Sequence, residues 1–332
     1  MAKHLFSLLF TLFIGIFIVV SYVYAPSSVT ELNKKINNSK ILPLDEKRIS
    51  VVKEYGEFLS NGLPNSVPKL YFYWLSRQRK MSDLRVKRAI NEIKDAQVEM
   101  EAVRVWSLLN MGVVVKTNKH TITFDTANLP FSQAHNELAN IVDIFLVTHA
   151  DGDHYDPSLL KKAVKKNKKI VLPEGFIFES EKPENITIIS SGKTVDIDGV
   201  KITGYQTDHR GDGNFREPSF WFEVESDGFK LLHTGDGRDF KNKSESEEVY
   251  GMKDFDILLG NIMLHPFNIR DLKPRVYIPL HMYKFMSGQL SYQESTIENV
   301  LNTHKQYEKD LQGIDIVYLL PGESFIYPLE TE

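Results

Sequence analysis

Five side chains able to bind a metal ion fall within eight residues: His149, Asp151, Asp153, His154 and Asp156. Histidine nitrogens and carboxylate oxygens together form a donor set that zinc, iron and manganese accept. Two ligands on one helix face would stand four residues apart; the spacing His-x-Asp-x-Asp-His suits a loop that folds back on one point. The segment before it, 141–147 (IVDIFLV), is short, apolar and β-branched, the pattern of a buried strand. Pro157 suits the first position of a helix, with Asp156 as its N-cap. A strand thus delivers the cluster and a helix carries the chain away. The bland alternative is a polar loop with solvated histidines, and so many donors in so few residues argue against it.

Other elements follow from pattern. Residues 5–25 hold no charge and are long enough to span the ~30 Å apolar layer of a bilayer. They read either as a retained anchor or as a secretory signal cut after Ala25. Pro26 just past that bond and the length of the run favour the anchor, and Lys3 favours the domain lying outside the cytoplasm. Residues 26–45 are polar and read as a tether. Residues 46–61 carry Ile49, Val51, Val52, Tyr55, Phe58 and Leu59 at helical spacing and end at Asn61-Gly62. A second helix is expected over 83–100, with the aromatic stretch 70–75 between the two as core or as an interfacial surface. From residue 103 short strands take over: 103–109, 112–117, 120–125, 169–172, 185–189, 194–197, 200–205, 220–225, 230–233, 257–259, 276–278 and 314–319, with a helix over 295–307. Strands interspersed with helices imply an α/β domain whose sheets are covered on both faces.

The motif His149-x-Asp151-x-Asp153-His154 resembles the H-x-[HED]-x-D-H signature of the metallo-β-lactamase-fold hydrolases. The pieces that family places downstream recur in order: His209 after the strand over 200–205, the Gly235-Asp236 step after 229–233, and His281 after Pro279-Leu280. Residues 103–330 are covered, and Met282-Tyr283-Lys284 continues much as in the lactonase and N-acyl-phospholipid phosphodiesterase branch. The resemblance implies a four-layer αβ/βα sandwich, behind a segment 1–25 and a helical extension within 26–102. It also implies two divalent ions, one held by His149, Asp151 and His209, the other by Asp153, His154 and His281, with Asp236 bridging. The implied activity is hydrolysis of an ester, lactone or phosphodiester by a metal-bridging hydroxide, with Asp153 and Asp236 as the catalytic carboxylates. Asp151 stands where the family most often has His. An oxygen donor there suits harder ions, so manganese or iron joins zinc as an expectation. Three other readings stay open: a diiron redox protein of the same fold, a non-catalytic metal-binding scaffold, and a nuclease, since DNA-processing relatives also use an H-x-D-x-D-H form.

Composition closes some routes. The 332 residues include no cysteine, which excludes disulfides and thiolate metal sites. A net charge of −4 gives no electrostatic case for nucleic acid. The expected partners are a small or lipid-like substrate and a membrane met through residues 5–25. Six lysines within 161–169 fit an anionic-lipid patch or a solvated helix face. Arg210 and Arg216 flank a glycine-rich loop beside His209 and could grip a phosphate or carboxylate, or pair within a hairpin loop. His233, Tyr283 and Lys284 are further candidates for substrate contact, and a satisfied strand histidine is the plain reading of His233. His4, His120, His135, His265 and His304 carry no partner pattern.

Overall fold

The computed structural model of the chain describes residues 26–42, 44–60, 68–127, 132–178, 183–209, 219–252, 254–262, 264–282 and 297–328. The apolar run 5–25 lies outside them, and among the described residues no helix is long and apolar enough to cross a membrane.

Three helices open the structure: α1 (Pro26–Asn37), α2 (Glu46–Ser60) and α3 (Pro68–Asp95). The expected tether over 26–45 is therefore corrected. Val29, Leu32 and Ile36 recur on one face and are buried, so a mostly polar stretch folds because three apolar side chains find a neighbour. Helix α2 starts where Asp45 Oδ1 accepts the Arg48 backbone N–H at 2.7 Å, and it buries Val51, Val52, Tyr55 and Phe58. Helix α3 begins fifteen residues before the expected 83 and takes the aromatic stretch into its first turns; the side chains of that stretch lie outside the described residues.

Seven strands form the first sheet: β1 (Val103–Ser107), β2 (Val113–Lys116), β3 (Thr121–Phe124), β4 (Ile144–Leu146), β5 (Lys169–Pro173), β6 (Ile186–Ile189) and the late β15 (Ser324–Tyr327). Their order is β15-β1-β2-β3-β4-β5-β6, antiparallel up to β3 and parallel beyond it. Between β3 and β5 the chain also forms the short α4 (Leu138–Ile141) and α5 (Pro157–Lys165). The second sheet holds β7 (Lys193–Ile197), β8 (Val200–Asp208), β9 (Ser219–Ser226), β10 (Phe229–His233), β11 (Asp239–Phe240), β12 (Ile257–Asn261), β13 (Val276–Leu280) and β14 (Asp315–Ile316). It runs β11-β8-β9-β10-β12-β13-β14, with β7 on β8, and changes from antiparallel to parallel at β10–β12. Helices α6 (Lys243–Met252) and α7 (Pro266–Leu272) cover its far side, and α8 (Ile297–Gln306) packs against α2.

Strand periodicity sorts the core into layers. Val113 and Val115 of β2 face the second sheet, whereas Val114 between them joins the cluster under α1, α2, α3 and α5. A third cluster, with Trp221, Leu258, Ile269 and Tyr277, lies between the second sheet and α6 and α7. The result is the helix–sheet–sheet–helix sandwich of the metallo-β-lactamase fold. The expected strand over 314–319 shrinks to two residues, while β15, absent from the sequence expectations, closes the first sheet by pairing with β1.

Two buried arginines pin the N-terminal helices to the segment before β15. Arg48, with a fully buried side chain, donates to Glu323 Oε1 at 2.9 Å and to Glu323 Oε2 and the Tyr318 carbonyl at 2.5 Å. Arg85 of α3 donates to the Pro321 carbonyl at 2.5 Å and to Asn33 and Asn37 of α1 at 3.2 and 2.6 Å. Removing one partner strands the other charge in the interior, so Arg48→Ala is expected to cost about 3–5 kcal/mol in urea unfolding.

Two buried histidines that are not among the ligands report on acid stability. Burial pushes both His135 and His304 down to about 4. Between the unfolded value of 6.5 and that folded value, the unfolded chain takes up the proton and the folded one does not. Each ring's contribution is therefore whole above pH 6.5 and shrinks as pH falls towards 4. Chemical unfolding across this window should show a shallower slope for His304→Gln than for the parent chain.

Candidate metal centre

The ligand loop leaves the end of β4, whose three residues are all buried. It turns at once, because the backbone N–H groups of His154 and Tyr155 both donate to the Asp151 carbonyl, at 2.9 and 3.0 Å. The exit is fixed by Asp156, whose Oδ1 accepts from Ser158 and Leu159 at 2.8 and 3.2 Å to cap α5 behind Pro157. Strands β8, β10 and β13 of the second sheet end beside this loop and bring His209, Asp236 and His281. All the donors lie past the carboxyl ends of strands, where a sheet leaves its loops free to converge.

The donors gather as two triads. In the first, His209 Nε2 and His149 Nε2 lie 3.5 and 3.7 Å from Asp151 Oδ2. In the second, His281 Nε2 and His154 Nε2 lie 3.5 and 4.0 Å from Asp153 Oδ2. Asp236 stands between them, with His154 Nε2 3.3 Å from Oδ1 and His209 and His281 Nε2 both 3.6 Å from Oδ2. Most of these separations are too long for hydrogen bonds. Bonds of roughly 2.0–2.2 Å to a tetrahedral ion would set its donors about 3.3–3.6 Å apart, which five of the seven separations match. The Nε2 atoms of His149, His154, His209 and His281 are buried without a hydrogen-bond partner. Four such bare nitrogens would each cost about 1–3 kcal/mol if nothing met them. Among the described residues these two triads, each with its donors within 4.8 Å of one another, are two of three groups able to hold a metal ion; the third is Asp125, His149 and His154.

Charge agrees with geometry. Burial alone would push the Asp236 carboxyl up, but His154 and His281 hold it well below the ordinary carboxylate range. Burial likewise works against a charged His154, yet the Asp236 and Asp125 carboxylates raise it well above the usual imidazole value. The pocket therefore favours positive charge at its centre, which a divalent ion supplies.

The ring orientations are set from behind. Asp125, fully buried at the end of β3, accepts from the Thr148 backbone N–H and hydroxyl, both at 2.7 Å, and from His154 Nδ1 at 2.9 Å. Since the Thr148 hydroxyl gives its proton to Asp125, its oxygen accepts from His149 Nδ1, 2.9 Å away. Nδ1 of both rings is thus committed to an outer partner, which leaves Nε2 as the ring nitrogen facing the centre. Gly235 makes this possible: it sits at φ +49, and a Cβ there would come within 2.6 Å of Thr148 Oγ1. Asn261 donates to Asp236 Oδ1 at 2.6 Å. Thr148, Asn261 and Asn110 are functional candidates that sequence reasoning missed; Asp125 carried a signal, as the acid that closes the alternating stretch 120–125, similar to a step that the resembled family has near its site.

One expected substrate contact is corrected. His233 is fully buried, stacked on Phe124 with ring centroids 4.8 Å apart. Its Nε2 donates to the Met111 carbonyl and its Nδ1 accepts from the Gly235 N–H, both at 3.2 Å, so it has no face left for a substrate. Arg210, Arg216, Tyr283 and Lys284 lie outside the described residues. Loss of an outer-sphere carboxylate typically costs 10–100-fold in metal affinity. Asp125→Ala is expected to show a loss of about that size in chelator competition, with the far-ultraviolet circular dichroism unchanged.

The family described as "Beta-lactamase superfamily domain" matches residues 112–281. A "UPF0173 metal-dependent hydrolase" of Thermococcus onnurineus is 31% identical over 150 residues, 42% of this chain; the match spans 66% of that relative's length. The UPF0173 metal-dependent hydrolase PH1671 of Pyrococcus horikoshii is 29% identical over 170 residues, 48% of this chain and 74% of the relative. Among solved structures, Igni18, a metallo hydrolase from the archaeon Ignicoccus hospitalis, superposes with a TM-score of 0.50 at 16% identity, over 69% of this chain and all of that one, a likeness of fold. The family match takes in more than half of the chain and reaches from the β1–β2 turn to the final ligand His281, so this chain belongs to the beta-lactamase superfamily.

Proposed function

We propose that the chain is a metal-dependent hydrolase acting on an ester, lactone or phosphodiester. His149, Asp151 and His209 would hold one divalent ion, Asp153, His154 and His281 a second, and Asp236 both. The observation that carries the reading is the convergence of four buried, unpartnered imidazole nitrogens on three carboxylates. The names of the Thermococcus and Pyrococcus relatives support the hydrolase class. Bound there, the ions would supply Lewis acidity, acidifying water and stabilising negative charge that develops on oxygen.

The protein's own part is positioning and exclusion. His149 and His154 form a dry floor at 4% and 0% exposure, whereas the Asp151 and Asp153 side chains are 51% and 36% exposed. A substrate therefore approaches over the two aspartates. Burial tends to raise the Asp153 carboxyl, but His281 and His154 hold it far below the usual range, so near neutrality it serves as an anion and never as an acid. Zinc is the ion of first choice, with manganese or iron admitted by the oxygen donor Asp151.

The proposal extends to location: residues 5–25 as a membrane anchor with the domain outside the cytoplasm, or a secreted form if they are removed. Helix α5 supports a lipid-facing setting, since Lys161, Lys162, Lys165 and Lys166 are exposed and the helix contains no acidic residue. A lipid-like substrate would suit that setting.

Metal content of the purified chain, beside Asp236→Ala, with a panel of lactones, carboxylic esters and bis(p-nitrophenyl) phosphate, tests the reading. Two equivalents of metal and hydrolysis are expected. The variant should lose metal and more than about 100-fold in rate, beyond the range seen for outer-sphere partners. Two irons without hydrolysis would favour a redox protein, and no metal after reconstitution would leave a scaffold.

A further inference from the structure

The turn between β1 and β2 contains none of the seven ligands, yet one of its residues touches two of them. The Leu108 N–H donates to the Gly112 carbonyl and the Gly112 N–H to the Leu109 carbonyl, both at 2.8 Å, which closes a tight hairpin. Asn110 sits inside it at φ +58, a left-handed conformation that asparagine tolerates better than most residues. From there its Nδ2 donates to Asp153 twice, to the backbone carbonyl at 3.1 Å and to Oδ2 at 3.0 Å. Both partners are pure acceptors, so the amide can face them only with its NH2 group. The Asn110 carbonyl in turn accepts the His281 N–H at 3.3 Å. His281 itself sits at φ +63, a strained backbone that needs such a hold.

We infer that Asn110 is the positioning residue of the triad Asp153, His154 and His281, and that it sets the ion affinity of that triad separately from the other; this rests on the dimetal reading above. The oxygen it grips, Asp153 Oδ2, is the one 3.5 Å from His281 Nε2 and 4.0 Å from His154 Nε2. One neutral side chain therefore fixes the carboxylate's rotation, while its backbone fixes the strand end that carries the histidine. The triad His149, Asp151 and His209 takes its outer support elsewhere, through the Thr148 hydroxyl on His149. A carboxylate at position 110 would set like charge against Asp153, and a longer amide would not fit the same turn.

Asn110→Gly is the informative variant, since glycine keeps the left-handed turn and deletes only the amide. Zinc and cobalt titrations of the full chain, read by calorimetry and by the cobalt absorption bands, resolve the two sites when run in two backgrounds. With His209→Ala, the remaining ion reports on the Asp153 triad, and Asn110→Gly should weaken it by about 10–100-fold and shift its cobalt spectrum. With His281→Ala, the remaining ion reports on the Asp151 triad, and Asn110→Gly should leave affinity and spectrum alone. Equal weakening in both backgrounds together with a lowered Tm of the metal-free chain would make Asn110 a fold residue and overturn the inference; so would no weakening in either. A parent chain that binds fewer than two ions overturns the dimetal reading itself. That failure is told apart because the deficit then exists with Asn110 in place.

Discussion

A nitrogen lone pair kept bare inside a protein is costly, and the centre of this molecule is built around four of them. Each is bare because the opposite side of its ring, or the backbone that carries it, is held. The Asp125–Thr148 pair holds His149 and His154 by their Nδ1 atoms, and β8 and β13 present His209 and His281 at their ends. The demand reaches outward from there. Asp125 must be buried to orient two groups at once, Gly235 must lack a side chain so that Thr148 can stand where it does, and the two sheets must dock in one register for the loops to meet.

The sheets alone do not make the molecule. Trp106 and Val114 on the outer face of the first sheet share one cluster with the N-terminal helices, and Trp106 Nε1 donates to Glu92 of α3 at 3.2 Å. That attachment is polar as well as apolar. Arg48 and Arg85 reach the segment between β14 and β15 by hydrogen bonds to Tyr318, Pro321 and Glu323, and β15 then pairs with β1. The helices thus help to fix a strand next to the hairpin that carries Asn110.

What the sequence made legible follows from how local each signal is. The cluster over 149–156, the strand-then-Gly-Asp step and the Pro-Leu-His step are short motifs attached to strands with clear periodicity, so both position and order could be read. Helix α5 was readable for the same reason, from Asp156-Pro157. Helix α1 was not, because Ser27, Ser28, Asn33 and the paired lysines disguise three apolar residues whose value appears only when α3 lies beside them. The early start of α3 was hidden by aromatic residues, which favour helices weakly. Asn110 gave no chemical signal: it is one polar residue in a turn, and its meaning depends on Asp153 and His281 being brought there by two other segments. His233 misled in the opposite way, since its position three residues before Asp236 suggests the site while its ring turns into the core.

The pairing of Arg48 with Glu323 joins residues 275 positions apart, and Arg85 with Pro321 spans 236. A ribosome makes the three helices and β1 long before it makes their partners. Until then Arg48 and Arg85, and the edge of β1 that β15 will cover, lack those partners. The three helices are thus made early and pinned to the segment before β15 late. During that interval the open edge of β1 needs shelter from wrong contacts, which a chaperone or slow translation would give.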